Sequence, residues 1–317
     1  MRAEEYRRRK AHRQRLTAGW LLVSVLLVIL LAGISLLLDS GATKDSRIRA
    51  FAAEKELPLD AWPAELIELM EKNPETEEFV LHYPLKKDLH PEIDLSGSVQ
   101  TSAVPLLLQW DERWGYDRFA GELMGLSGCG PTSLSMVCLY LLDDPALTPR
   151  DMAEFAEEEG YSDRGNGSTW TLISEGGEKL GLEVEELPLH ESSITRELEA
   201  GNPVICVMGA GDFTTTGHFI VLTGYADGFV TVNDPNSVER SEKAWELKAI
   251  MEQMRNLWVC RTKKSKAPSE RTGLYFFYIL CRYFRSWVSN SSGRGQLKDT
   301  NSPVRGWTKR KPTAGRH

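Results

Sequence analysis

The residues best able to do chemistry in this chain are a cysteine, a histidine and an acid, in that order. In GLSGCGPTSLSMVCLYLL, residues 125–142, Cys129 lies between two glycines and two residues ahead of Pro131, a residue that suits the first turn of a helix. A thiol at a helix N-terminus faces unpaired backbone N–H groups and the positive end of the macrodipole. Both favour the thiolate and lower the thiol pKa. The small neighbours Gly128 and Gly130 leave room for a substrate backbone to come close. A thiolate nucleophile needs a base, and TTTGHFIVLTGY, residues 214–225, offers His218 at the mouth of an apolar strand. Sixteen residues further on, Asp234 ends the strand VTVND and could steady the imidazole as the third member of a triad. The adjacent amide, Asn233, could serve instead. An oxyanion forming on an attacked carbonyl also needs donors, and two are in place: the Cys129 backbone N–H and the Gln109 side chain in VPLLLQWDERWG, residues 104–115.

These groups need rigid supports, and the patterning supplies them. Leu134, Val137, Cys138 and Leu141 recur at helical spacing, which predicts a helix from Pro131 to about Leu142 with Cys138 on its inward face. Thr148-Pro149 with Asp151 announces a second helix, and a third is expected to begin after Ser168 or Thr169 and end at Gly181. The period then changes. Glu183–Leu187, Pro203–Met208, Phe219–Tyr225 and Phe229–Asn233 read as strands, and Ala226-Asp227-Gly228 carries hairpin-turn chemistry between the last two. That hairpin would bring the start of one strand beside the end of the next, and so His218 beside Asp234. A helix over about Glu242–Arg255 and a brief strand at Trp258 are expected to close the domain. Trp110 and Trp114 are expected to pack or to edge the cleft, whose walls would include Gly160–Trp170 and Gly209–Gly217.

Composition excludes several other chemistries. Six histidines without an HExxH pattern leave little for a catalytic metal, and five cysteines without a CxxC pair give neither a zinc ribbon nor a full disulfide framework. No cofactor is called for. The formal charge of −7 combines basic ends with an acidic middle, which argues against nucleic acid as a partner.

Leu16 to Leu38 is an uncharged apolar run, and about 20 such residues suffice to cross a bilayer as a helix. The Arg/Lys cluster before it and the mixed flank after it place the N-terminus in the cytoplasm. The expected layout is a basic tail (1–15), a transmembrane helix (16–38), an extracytoplasmic stalk or docking segment (39–103), a catalytic domain (104–261) and a basic, disordered tail (262–317). The chain would then be a single-pass protein of the cell membrane with its catalytic domain outside.

Taken together, Gln109, Cys129 in GCGPTSLSM, His218 in TGHFIVLTGY and Asp234 in NDP resemble the family thirty-nine cysteine peptidases of the papain-like superfamily, in their stand-alone branch. The resemblance spans about Val104 to Arg261. It implies an α+β papain-like fold, with a helical half bearing the cysteine and an antiparallel sheet bearing the histidine and the aspartate. It also implies Cys129 as nucleophile, His218 as base and acid, Asp234 as orienter and Gln109 as oxyanion donor. The expected activity is cysteine-type hydrolysis of a peptide or protein substrate at the cell envelope. A silent peptide- or wall-binding module and a cell-wall amidase or endopeptidase are the alternatives.

Overall fold

The computed structural model of the protein describes residues 24–30 and 46–263. Residues 24–30 are helical, with Val25 to Leu30 all exposed. The remainder of the Leu16–Leu38 run and the basic tail after Lys263 lie outside the described residues. Among the described residues, no helix is long and apolar enough to cross a membrane.

Three helices come first: α1 over residues 46–54, α2 at Ala64–Lys72 and α3 at Glu77–Lys86. The sequence suggested a stalk here, but these helices build a core of their own. Ile48, Ala52, Trp62, Leu66, Met70, Phe79, Val80 and Tyr83 are buried together with Tyr116 and Leu123 of the following domain. The physical reason is the Phe79 ring, which stacks on Tyr116 at 4.5 Å. It also lies where two glycines leave space, since a Cβ on Gly115 or Gly125 would stand 2.7 or 2.6 Å from it. The Tyr116 hydroxyl donates to the Phe79 carbonyl at 2.8 Å, which locks the docking.

The domain opens with a two-residue ladder, β1 (Arg118–Phe119) with β2 (Glu122–Leu123), and a helical turn α4 (Met124–Ser127). Helix α5 (Cys129–Leu142) follows and is buried from Gly130 to Leu139. It starts two residues earlier than Pro131, because a proline tolerated anywhere in the first turn need not mark the first helical residue. Helix α6 (Pro149–Glu158) begins with a full capping box. Thr148 accepts from the Asp151 N–H while the Asp151 side chain accepts from the Thr148 N–H. A second small ladder, β3 (Ser162–Asp163) with β4 (Gly167–Ser168), precedes a π-helical stretch Leu172–Gly176 that continues into α7 (Gly177–Lys179).

The second half is a six-stranded antiparallel sheet of β5 (Leu182–Glu186), β6 (Val204–Met208), β7 (His218–Ala226), β8 (Phe229–Asn233), β9 (Trp245–Glu246) and β10 (Met254–Thr262), ordered β5-β10-β6-β7-β8-β9. Between β5 and β6 runs α8 (Glu191–Glu199), a helix the sequence reading had not anticipated. Its buried Ile194 and Leu198 join a core of alternate strand residues that includes Val204, Cys206, Met208, Ile220, Leu222, Leu257 and Val259. All five residues of β6 are buried, as expected of a central strand covered on both faces.

Strand β7 returns to β8 through Asp227 and Gly228, which have φ of 51° and 88°. Positive φ at both central positions is the two-residue hairpin turn whose twist matches the strands it joins. The end of the chain departs from expectation. In place of a helix over Glu242–Arg255 there are two short ones, α9 (Val238–Glu242) and α10 (Leu247–Met251), separated by β9. The strand at Trp258 is nine residues long and lies second in the sheet, where it supports both β5 and β6.

Candidate active site

The α5 N-terminus meets the start of β7, and that meeting brings Cys129 to His218. The His218 imidazole lies close enough to the Cys129 thiol to lower its pKa, and its Nε2 lies 2.7 Å from Asp234 Oδ1, leaving Nδ1 as the ring nitrogen not taken by the carboxylate. The hairpin accounts for the second contact: Val221 pairs with Asn233, so Asp234 continues β8 alongside the first residues of β7. His218 is 8% exposed and Asp234 is fully buried, whereas Cys129 is half-buried and thus the member open to a reactant.

The electrostatics agree with the geometry. Burial raises the Cys129 pKa, but the His218 hydrogen bond and charge, helped by the backbone N–H groups of Phe219 and Gly130, outweigh it and leave the thiol below its ordinary value. Burial alone would push His218 down. The buried Asp234 carboxylate and the Cys129 sulfur instead push it up to about 10. Asp234 resists burial in turn and stays below the usual carboxylate range, held by His218 and Arg240. Each of the three groups thus shifts toward its charged form through the others. The other described thiols behave oppositely. Cys138, Cys206 and Cys260 are free and buried, and burial raises all three, Cys260 to about 12. The core placement expected for Cys138 and Cys206 is what the structure shows.

Asn233, the competing orienter, is turned away. Its amide donates to the Val104 and Pro105 carbonyls at 3.0 and 3.1 Å, pinning the start of the domain to β8. Gln109 is buried next to both halves of the site: its backbone N–H donates to the Pro235 carbonyl at 2.7 Å and its Nε2 donates to the Gly125 carbonyl at 2.9 Å. Its Oε1 is buried without a hydrogen-bond partner. Trp114 packs inside the domain, and the Trp110 indole donates to the Asn236 carbonyl at 3.2 Å. The two glycines beside Cys129 do not open the site. A Cβ on Gly130 would stand 2.7 Å from the Ser168 Cβ, and one on Gly128 would stand 2.6 Å from the Met124 carbonyl, so both glycines admit the protein itself. Ser168 belongs to the Gly160–Trp170 segment, which accordingly flanks the cysteine, and Gly209–Gly217 leads directly into His218.

Sequence reasoning missed the support behind Asp234. Arg240 Nε donates to Asp234 Oδ2 at 2.5 Å, the Asn236 N–H donates to Oδ1 at 2.8 Å, and the Asp234 N–H donates to Ser241 Oγ at 2.9 Å. A signal was present in Ser237, whose hydroxyl accepts from the Arg240 N–H at 3.1 Å and so caps α9, turning Arg240 back toward the carboxylate. Among the described residues, no group of acids, histidines and cysteines could hold a metal ion.

Cys129 thus starts a helix of the first half, and His218 and Asp234 lie on the antiparallel sheet of the second. Residues 101–266, just over half of the 317, match the model of the Peptidase_C39 like family, and the chain belongs to that family. No curated protein matches. Similar solved structures include the peptidase domain of Streptococcus ComA, a bi-functional ABC transporter involved in quorum sensing. That pair shares 17% identity over 50% of this chain and 99% of the other, with a TM-score of 0.37. A C39-like peptidase from Bacillus anthracis shares 19% identity over 56% of this chain and 100% of the other, with a TM-score of 0.32. A double-glycine-motif protease from an AMS/PCAT transporter, solved in complex with a leader peptide, shares 18% identity over 54% of this chain and 100% of the other, with a TM-score of 0.33.

Proposed function

We propose that the protein is a cysteine peptidase that cleaves peptide bonds through an acyl-enzyme on Cys129. The observation that carries this reading is the His218 ring, held at Nε2 by buried Asp234 at 2.7 Å and set beside the Cys129 thiol at the start of α5, whose pKa it lowers. The thiolate attacks the scissile carbonyl, and its electron pair forms the C–S bond while the carbonyl π pair moves to oxygen. The Cys129 N–H and the Gln109 amide are the donors assigned to that oxyanion. When the intermediate collapses, the imidazolium of His218 gives its proton to the departing amine and the C–N bond breaks. Water, deprotonated by the now neutral imidazole, then attacks the acyl carbon, and the C–S bond breaks to release the acid and restore the thiolate beside an imidazolium. Asp234 keeps the ring in the tautomer and orientation that both steps require.

The pH profile tests this reading. Thiolate and imidazolium coexist above the lowered thiol pKa and below about 10, so the activity of Cys129 is expected to extend below the range in which an ordinary thiol ionises and to end as His218 deprotonates near 10. Modification of the folded protein by iodoacetamide, followed across pH, should remain fast below about pH 7, where an ordinary thiol of pKa about 8.5 is mostly protonated. Peptide hydrolysis should fall off on the alkaline side. An alkylation rate that tracks ordinary thiol ionisation would rule the ion pair out.

The proposal extends to the cell envelope. The uncharged residues 16–38, preceded by a dense basic cluster, support a membrane anchor with the peptidase on the extracytoplasmic side. Full-length protein expressed in cells is expected to sediment with membranes, resist extraction by high salt and be digested by protease added outside intact cells. Release by salt alone would exclude an anchor.

A further inference from the structure

The loop behind Asp234 does not support itself. The Glu75 carboxylate reaches it from the turn between α2 and α3. Oε1 accepts from the Ser237 hydroxyl, while Oε2 accepts from the Val238 N–H at 2.7 Å and the Glu239 N–H at 3.3 Å. These groups form the start of α9, where free N–H donors favour an anion. One to three residues further along, that helix delivers Arg240 to Asp234 Oδ2. A parallel link serves the other oxygen. The Asn73 side chain donates to the Asn236 carbonyl at 2.6 Å, and the Asn236 N–H donates to Oδ1, the oxygen that binds His218. Asn73 is itself fixed, since its side chain accepts from the Glu75 N–H at 3.1 Å. Both oxygens of the carboxylate thus have partners held by residues outside the 101–266 stretch that defines the family. The same helices press Phe79 against Gly125, whose carbonyl accepts from Gln109.

We propose that Glu75 is a positioning residue of the peptidase, holding the loop from Asp234 to Arg240 so that His218 faces Cys129, and that helices α1–α3 are an activating element built into the chain. The inference rests on the peptidase reading above. Glu75 touches no reacting atom and acts only through Ser237, Val238 and the start of α9. An Asp at this position is one methylene too short to span those donors. A Gln still presents an oxygen to the Val238 N–H and an NH2 group to the Ser237 hydroxyl.

The test compares full-length wild-type protein with Glu75→Ala, Glu75→Asp and Glu75→Gln, reading iodoacetamide modification of Cys129 at about pH 6, where reactivity depends on the ion pair. Thermal unfolding is followed in parallel. Glu75→Ala and Glu75→Asp are expected to react about tenfold more slowly, as befits a misplaced positioning group, and Glu75→Gln within about twofold of wild type. Leu198→Ala, a core substitution on α8 outside the loop, controls for general loosening of the sheet core and should keep the wild-type rate. If Glu75→Ala fails to fold, Glu75→Asp carries the comparison. A folded Glu75→Ala protein with the wild-type rate overturns the inference alone, and so does an equal loss in Leu198→Ala. A wild-type protein lacking acid-side reactivity overturns the peptidase reading and this inference with it.

Discussion

Cys129→Ala protein is expected to unfold at the wild-type temperature, to accept no thiol-directed label within residues 46–263 in its native state and to lose peptide hydrolysis by about four orders of magnitude or more. The stability half follows from placement. Cys129 is only half-buried at the first residue of α5, so removing its sulfur opens no sealed cavity, and alanine is the best of helix formers. The activity half follows from the chemistry. Without the sulfur no acyl-enzyme forms, and His218 is left to activate water in a site arranged for a different nucleophile. The labelling half is the sharpest, because Cys138, Cys206 and Cys260 are buried with raised pKa values and are poor targets in the folded domain. Peptide mass mapping after brief iodoacetamide treatment reads the label site by site, beside thermal unfolding and a hydrolysis assay. A label surviving on Cys138, Cys206 or Cys260 of the native variant would mean that another thiol of the domain carried the reactivity.

Asp234→Ala should fail differently, losing both stability and activity. The carboxylate is fully buried and holds the His218 ring, the Arg240 guanidinium and the Asn236 N–H. Its removal leaves two cations facing each other with no anion between them. Taking one partner from a buried ionic network costs about 3–5 kcal/mol, and the lower end applies here because Arg240 keeps part of its solvent contact. Asp234→Asn retains the shape and separates the two losses: about 1–3 kcal/mol less stable, yet roughly 10³-fold or more slower, because an amide does not hold the imidazolium in place. Chemical denaturation together with hydrolysis rates distinguishes these outcomes. The sign of the pH dependence can be stated as well. The folded pKa of Asp234 lies below its unfolded value, so its stabilisation is present above the ordinary carboxylate range and disappears as pH falls through the native pKa. That acid-side loss should be present in wild type and reduced in Asp234→Asn. Equal acid sensitivity in the two proteins would mean that another carboxylate governs it.

The pairing of His218 with Asp234 was readable from the sequence because two local signals fixed it: an Asp-Gly turn that admits positive φ, and an apolar run on each side of it. Cys129 at a helix start was readable for the same kind of reason. What stayed hidden was non-local. Glu75 and Ser237 lie more than 150 positions apart, as do Asn73 and Asn236, and nothing in either neighbourhood points to the other. Phe79, Gly115 and Gly125 show the same limit. Each looks ordinary alone, and only the packing reveals that the two glycines are the imprint of one aromatic ring. The helix expected over Glu242–Arg255 failed because its period ignored Trp245, which extends the sheet from the far edge by pairing with Val230. Proline spacing between residues 63 and 91 suggested an extended connector. Yet Pro63 caps α2, Pro74 starts a turn and Pro84 is accommodated within α3.

The seat of Phe79 bears on how the molecule can be divided. Removing everything before residue 101 would unroof Tyr116, Leu123 and the half-buried Trp110 and Leu126, and would leave two bare glycines where a ring had been. Apolar ground of that kind, once wetted, invites self-association. The smallest portion of this polypeptide that keeps its greasy side covered therefore begins near residue 46, well upstream of the boundary drawn by kinship.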